Sequence, residues 1–338
     1  MYISIHVNIN IIKFRTLFDH IQYHQNNIKN AIENNEKLED KLHVIAVVSN
    51  PCMFAKRYIL MREFIQRMEL DEKDVILYIV ELAYGDQSYY VTDAKNPRHL
   101  RLRATTPIWH KENMINLGVR YLLPKKWKAF AWIDADLEFE SSTWAADTLK
   151  ILNGSRDIVQ LFSHAVDMDK NKEAMSIFTS AGFQYEKENP YRGMGPNYWH
   201  PGFAWAITRK AYEKIGGLYE RAILGSGDNI MMMSIIGNCM KSIHVESTDD
   251  YKKDVLEFQQ KMKTLRFAYV PGVIRHFFHG SKQNRKYHER WQILLRHQYS
   301  PSVHVEHDNV GLLVPTTGFP EELKSEIYDY FKERNEDE

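Results

Sequence analysis

The chain has 338 residues, of which 44% are hydrophobic, and its 44 lysines and arginines balance its 44 aspartates and glutamates. A net charge of zero gives no general attraction to nucleic acid or to an anionic membrane, so no nucleic-acid partner is expected. Cys52 and Cys239 are the only cysteines, which excludes a disulfide scaffold and fits a reducing compartment. No apolar run reaches the roughly 18 residues of a membrane span, so we expect a soluble, cytoplasmic protein.

The chain is predicted to divide into three segments. Residues 1–42 are predicted to form a helical extension, because apolar residues between Phe14 and Ile32 recur at helical spacing. Residues 43–295 are predicted to form one folded domain. Residues 296–338 are predicted to form a C-terminal helix and a charged tail.

The first half of the central domain alternates between apolar strands and amphipathic helices. Because such alternation is typical of right-handed crossover connections, we predict an α/β fold with a mostly parallel central sheet flanked by helices. The stretch 163–200 is predicted to be mostly irregular, and its aromatic residues favour a binding loop over disorder. The predicted strands are 42–49, 74–81, 99–103, 129–133 and 157–162, and the predicted helices are 55–68, 109–121 and 143–152.

Two carboxylates, Asp134 and Asp136, follow the apolar run 129–133 where that strand is predicted to end. Ligands of open α/β sheets bind beyond the carboxyl ends of the strands. Aspartates one residue apart on an extended chain point the same way, and such a pair suits a divalent cation that also holds phosphate oxygens. The alternative interpretation is a polar strand end or a helix N-cap, and the motif by itself does not decide between them.

A third acidic residue, Asp228, ends the sequence Gly225-Ser-Gly-Asp228 at the predicted start of a Met-rich helix. A carboxylate is electrostatically favoured at a helix start, so Asp228 is either an N-cap or a general base that faces a substrate hydroxyl. Before it, an apolar strand from Gly202 leads into a short helix that is predicted to end on Gly216.

In this order the segments resemble nucleotide-sugar glycosyltransferases of the GT-A fold. The block 202–228 is similar to the acceptor-side block of β-galactosyltransferases and polypeptide N-acetylgalactosaminyltransferases, and 109–116 and 279–287 resemble segments of bacterial family-2-like members. The resemblance implies a single GT-A-like domain over residues 43–295. Its nucleotide-sugar part would be 43–140, and 141–295 would hold the acceptor part and a closing segment.

The resemblance implies a metal-dependent, hexosyltransferase-type enzyme that moves a sugar from a nucleoside diphosphate sugar, such as a UDP-sugar, to a hydroxyl of a glycan or protein acceptor. Asp134 and Asp136 would form its DxD motif and, with His279, hold Mn²⁺ or Mg²⁺, whereas His276 is open to a purely structural role. Asp228 would be the base of an inverting transfer. Related enzymes usually place a second carboxylate beside that base, where this chain has Gly227.

The resemblance also implies binding residues, for which a solvated surface or core packing is the alternative. The donor-binding candidates are Asn50, Pro51, Glu81, Lys111, Asp134, Lys282, Asn284 and Arg285. The acceptor-binding candidates are Tyr198, Trp199 and His200, since sugar rings stack on aromatic faces.

Two other functions compete with this interpretation. A sugar nucleotidyltransferase needs a Gly-rich phosphate loop after the first strand, but the sequence there is Ser49-Asn-Pro-Cys-Met-Phe. A catalytically inactive carbohydrate-binding protein would keep the aromatic residues and could lose the metal pair or Asp228, all of which are present.

Overall fold

The computed structural model describes residues 34–70, 73–195 and 197–338. The helix predicted between Phe14 and Ile32 lies outside the described residues. No described helix combines the length and apolarity that crossing a membrane requires.

The strands and helices are numbered here in chain order. The strands are β1 (Leu42–Ser49), β2 (Val75–Tyr84), β3 (His99–Ala104), β4 (Ala129–Ile133), β5 (Leu137–Phe139), β6 (Ile158–Gln160), β7 (His164–Met168), β8 (Ala174–Ser180), β9 (Trp199–His200), β10 (Ala204–Thr208), β11 (Phe267–Tyr269), β12 (Val273–His276), β13 (Val305–His307) and β14 (Leu313–Pro315). The α-helices are α1 (Ala55–Leu70), α2 (Lys111–Leu122), α3 (Trp144–Leu152), α4 (Ala181–Glu186), α5 (Arg209–Ile215), α6 (Gly227–Ile235), α7 (Asp249–Met262), α8 (Trp291–Arg296), α9 (Pro301–His304) and α10 (Glu321–Glu333), and 3₁₀ turns span Cys239–Lys241 and Lys282–Arg285.

The central sheet has seven strands in the order β11-β6-β10-β4-β1-β2-β3. The pairs β1–β2, β2–β3, β1–β4 and β6–β11 are parallel, and only β10 runs antiparallel to its two neighbours in this sheet. The predicted α/β fold with a mostly parallel central sheet is therefore confirmed. The carboxyl ends of β1 and β4 lie side by side, which brings the residues that follow both strands to one edge.

Strand β4 is buried on both faces of the sheet. Phe130 and Trp132 pack into one core layer, where the Trp132 ring stacks on Trp205 of β10 with centroids 6.2 Å apart. Ala129, Ala131 and Ile133 alternate into the opposite layer. Two-sided packing fixes the strand's register, and therefore the position of the polar residues that follow Ile133.

The prediction of an irregular stretch over 163–200 is wrong. Strands β7, β8 and β9 and helix α4 lie within it, and a second sheet runs in the order β5-β12-β7-β8-β9. Its central pairing joins β7 to β12, a strand more than 100 residues later. Local periodicity does not reveal this pairing, since β propensity depends strongly on tertiary neighbours.

The closing segment of the domain contains a 3₁₀ turn, and a short helix follows it. The backbone of Lys286 is left-handed, with φ of 42°, and it separates the 3₁₀ turn from the short helix α8. Helix α5 ends on Gly216 with φ of 80°, which confirms the predicted C-cap.

Candidate functional site

A cavity opens where the chain leaves β1 and β4. Asn50 and Pro51 line it after β1, and Asp134 and Asp136 line it after β4. The remaining walls come from α1, the end of β2, the start of α2, the closing segment, and the end of α10 with the residues that follow it. The cavity thus occupies the edge of the sheet at which ligands bind in open α/β folds.

Asp136 forms a compact cluster with His276 and His279. Each of the three side chains offers one ligand atom, and these atoms lie within 4.8 Å of one another. Asp136 Oδ2 is 2.6 Å from His279 Nε2 and 3.6 Å from His276 Nε2. Asp136 Oδ1 is buried without a hydrogen-bond partner. A carboxylate and two imidazoles with an unsatisfied buried oxygen fit a divalent transition-metal ion.

The protonation states of two members of this cluster, Asp136 and His279, suit metal binding. Burial alone would lower the pKa of His276, but Asp136 and Asp167 raise it above its usual value. Burial alone would raise the pKa of the Asp136 carboxyl, but His276 and His279 hold it well below its usual value. Burial lowers the pKa of His279, which favours the neutral imidazole that a metal needs. Asp136 is therefore an ionised carboxylate at neutral pH.

The second sheet builds this cluster from segments far apart in sequence. Strand β12 runs antiparallel to β5, which places His276 opposite Leu137. The amide of Phe277 donates to the carbonyl of Asp136 with an N–O distance of 2.8 Å. Because this ladder fixes the backbone on both sides, His276 joins the cluster as well as the predicted ligand His279.

The Asp134 carboxylate forms an ion pair with Lys111 in the first turn of α2. Burial alone would lower the pKa of Lys111, but Asp134 raises it above its usual value, so the lysine is charged. Both side chains line the cavity. The compact metal cluster does not include Asp134, and its direct contact with an ion stays a prediction.

Asp228 lies in the first turn of α6 and is half-buried. The N-cap position belongs to Ser226, so the N-cap interpretation of Asp228 is wrong. Its Oδ1 accepts a hydrogen bond from the Asn229 amide at 2.8 Å. Its Oδ2 lies 2.7 Å from the point where a Cβ on Gly202 would sit, so Gly202 leaves the room that this carboxylate uses.

A second carboxylate, that of Glu112, lies beside Gly227. A Cβ on Gly227 would be 2.5 Å from Glu112 Oε1, so the glutamate from α2 occupies the space next to the helix start. Glu112 is 4% exposed, and its pKa is raised to about 7 by burial, with Asp228 adding to the rise and Lys111 opposing it. Sequence reasoning missed this residue, although it directly follows the predicted site residue Lys111.

The three predicted acceptor residues lie in different surroundings. The Tyr198 ring lies edge-on to His200 with centroids 5.7 Å apart, and burial raises the pKa of Tyr198, with the negative charge of Asp228 adding to the rise. His200 stacks on Phe203 with ring centroids 4.0 Å apart. Trp199 is only 4% exposed and packs within the core. The structure therefore brings Tyr198 and His200 near Asp228 and directs Trp199 inward.

The donor candidates of the first two strands have different contacts. The Asn50 side chain accepts from the Phe54 amide at 2.9 Å and donates to its carbonyl at 2.8 Å, which fixes the turn after β1 at the cavity wall. Glu81 was predicted near a strand end, but β2 continues to Tyr84. The Glu81 carboxylate accepts the amides of residues 90–92 and is buried beneath that loop. Its nucleotide contact stays a prediction.

The three donor-binding candidates in the closing segment do not lie together at the cavity. Arg285 lines the cavity and lies 2.9 Å from His279 Nδ1. Lys282 instead forms an ion pair with Asp167 at 2.5 Å, and Asn284 donates to Glu338 at 3.2 Å. Of the three, only Arg285 is at the cavity wall.

The segment after α10 completes the cavity, although only a helix and a charged tail were predicted there. The Glu336 carboxylate is 2% exposed and lies between two arginines. Its Oε1 accepts from Arg57 Nη2 and from Arg334 Nε, each at 2.7 Å. All three residues line the cavity. No local sequence signal distinguishes Glu336 from its acidic neighbours.

No protein-family model and no curated protein match the chain. Among solved structures, a mutant β1,4-galactosyltransferase 7 from Drosophila with manganese, UDP-Gal and xylobiose is 11% identical, with 82% of this chain and 93% of that chain covered and a TM-score of 0.40. A mannosyltransferase from Pyrobaculum calidifontis with GDP-Man and Mn²⁺ is 15% identical, with 84% and 70% covered and a TM-score of 0.38. A 4-diphosphocytidyl-2C-methyl-D-erythritol synthase from Anaerococcus prevotii is 11% identical, with 70% and 88% covered and a TM-score of 0.30. The first two are GT-A glycosyltransferases, the class that the sequence resembles.

Proposed function

We propose that the chain is a metal-dependent glycosyltransferase that moves a sugar from a nucleoside diphosphate sugar, with UDP as the expected nucleotide, to a hydroxyl acceptor. The observation that carries this proposal is the cluster of Asp136, His276 and His279 at the rim of the cavity beyond β1 and β4. A nucleotide bound in that cavity would place its diphosphate next to the ligand cluster.

Mn²⁺ is the proposed ion. Two imidazoles and one carboxylate suit Mn²⁺ better than Mg²⁺, which prefers oxygen ligands. When bound, the ion would neutralise charge on the departing diphosphate. Asp134 lies at the same edge of the sheet and is proposed to contact the ion and the donor, with its negative charge balanced by Lys111.

Donor binding is proposed to use the polar groups of the cavity wall. Asn50 and Pro51 would meet the base and ribose, while Lys111 and Arg285 would pair with phosphate oxygens. These residues line one continuous surface with Asp134 and Asp136. Glu81, Lys282 and Asn284 would act, if they contact the donor, only after a rearrangement of their present partners.

Asp228 is proposed as the general base of an inverting transfer. A half-buried carboxylate in the first turn of α6, beside Tyr198, His200 and the small residue Gly202, can accept the proton of an acceptor hydroxyl. The hydroxyl oxygen would then attack the anomeric carbon directly as the diphosphate leaves. Tyr198 and His200 are proposed to form part of the acceptor floor, a role in which Trp199 would act only through packing.

The test is a screen of nucleotide sugars for hydrolysis and for transfer to a panel of simple glycosides, with Mn²⁺, with Mg²⁺ and with chelator. We expect Mn²⁺-dependent release of the nucleoside diphosphate from at least one donor and its loss in Asp136→Ala. Full activity of Asp136→Ala, or no donor turnover and no nucleotide binding in Mn²⁺, would contradict the proposal. An added arm with nucleoside triphosphate and sugar 1-phosphate detects the nucleotidyltransferase alternative through pyrophosphate release.

A further inference from the structure

A buried carboxylate outside the ligand cluster contacts one of its imidazoles. Asp167 of β7 lies directly beside His276 of β12 in the parallel register of the second sheet. Its Oδ1 is 2.6 Å from His276 Nδ1, and the residue is 1% exposed. A burial this complete is rare for aspartate unless the carboxylate is paired.

This contact determines which ring nitrogen of His276 is available to a ligand. An ionised carboxylate only accepts hydrogen bonds, so the proton on the ring must be at Nδ1, where it is donated to Asp167. In the neutral ring that a metal requires, the other nitrogen, Nε2, carries the lone pair, and it lies on the side of Asp136, 3.6 Å from Oδ2. Ligating histidines commonly have such an outer partner.

The second oxygen of Asp167 has no hydrogen bond of regular geometry, but it lies in an ion pair. Lys282 Nζ lies 2.5 Å from Asp167 Oδ2, and the same ammonium group sits over the Phe178 ring at 4.4 Å from its centroid. The pairing of β7 with β8 shifts register between Asp167 and Met168, a local irregularity of the kind that re-aims side chains near functional sites. The Asp167 carboxylate on β7 therefore contacts His276 of β12 and Lys282 of the closing segment.

We propose that Asp167 is a positioning residue for the metal centre: it fixes the ring orientation and tautomer of His276, and Lys282 in turn holds Asp167. This inference rests on the proposed metal site. The competing explanation is a buried ion pair that only joins β7 to the closing segment and leaves metal affinity unchanged.

Mn²⁺ titration of the purified full chain, followed by electron paramagnetic resonance of the free ion, separates these explanations. We expect Asp167→Asn to weaken Mn²⁺ binding about 10- to 100-fold, which is the usual effect of removing an outer-shell partner. The matched control is Asp157→Asn, which removes a carboxylate that pairs with Arg266 away from the cluster. We expect this control to keep the wild-type affinity.

The outcomes of this titration are distinguishable. A wild-type chain that binds no Mn²⁺ overturns the proposed metal site itself, whereas equal affinities of the wild type and Asp167→Asn overturn only the role of Asp167. If Asp167→Asn does not fold, ¹¹³Cd-loaded wild-type protein labelled with ¹⁵N-histidine gives the answer. Coupling of cadmium to Nε2 of His276 supports the proposal, and coupling to Nδ1 contradicts it.

Discussion

The Glu112 side chain occupies the space that Gly227 leaves open beside Asp228. The resemblance stated above implies a second carboxylate beside Asp228, and Gly227 provides none. The Glu112 carboxylate fills that space from α2, since a Cβ on Gly227 would overlap it. Like charges at short range disfavour double ionisation, which agrees with a pKa of about 7 for Glu112, raised chiefly by burial. At neutral pH the buried Glu112 carboxyl is therefore close to half protonated.

The first prediction concerns Asp228. We expect Asp228→Asn to reduce sugar transfer by about 10²- to 10⁴-fold, the usual contribution of a general base, because the amide cannot take up the hydroxyl proton. Donor affinity should change little, since Asp228 is not among the residues of the cavity wall. The measurements are steady-state transfer rates and equilibrium binding of the nucleotide in Mn²⁺.

Asn229→Ala serves as the control for this prediction, because Asn229 follows Asp228 in the same helical turn and contributes its backbone amide rather than its side chain to the carboxylate. It should retain most of the transfer rate. Unchanged transfer by Asp228→Asn would remove Asp228 as the base and direct attention to Glu112.

Strands that form one continuous apolar run could be predicted from the sequence, whereas strands of mixed polarity, whose formation depends on a distant partner strand, could not. Strands β1 and β4 are apolar runs with both faces buried, so composition alone indicated them. Strands β7 and β12 pair across more than 100 residues, and β8 carries exposed apolar residues that obscure its pattern. His276 was therefore left open as a ligand, because its place beside Asp136 depends on the unpredicted second sheet.

The C-terminal segment provides the second prediction. Burial alone would raise the pKa of Glu336, but Arg57 and Arg334 lower it well below its usual value of 4.5. A carboxyl group with a depressed folded-state pKa stabilises the protein above its unfolded-state pKa, and this contribution is lost as the pH falls through the folded-state value. We expect Glu336→Gln to lower the free energy of unfolding by about 2 kcal/mol at pH 7, the value of a hydrogen bond to a charged group. The difference should shrink steadily below pH 4.5.

Urea unfolding of the wild type and Glu336→Gln at pH 7 and at pH 3.5 measures this dependence. Glu333→Gln is the matched control, since Glu333 forms an exposed ion pair with Lys286 and should contribute less than about 1 kcal/mol. A difference that is equal at both pH values would show that Glu336 does not act through its charge.

One hydrophobic layer packs on each face of the central sheet. The cavity lies where the edge of this sheet, the second sheet and the end of α10 meet. Its walls come from residues as distant in sequence as Asn50 and Glu336. In an unfolded chain these residues are dispersed, so a ligand of the complete site binds only the folded protein. Such binding raises the apparent stability by mass action.

The third prediction follows from this assembly. At a UDP concentration 100 times its dissociation constant, the folded state should gain about 2.7 kcal/mol, which for a chain of this size raises the melting temperature by several degrees. We expect the rise only when UDP and Mn²⁺ are present together, because the proposed ion would be held by Asp136, His276 and His279 and would attract the diphosphate. Differential scanning calorimetry with UDP, GDP, Mn²⁺ and their combinations measures it. The combined effect should disappear in Asp136→Ala and persist in Asp157→Asn, while an equal rise with UDP alone in both variants would show that nucleotide binding does not depend on the metal cluster.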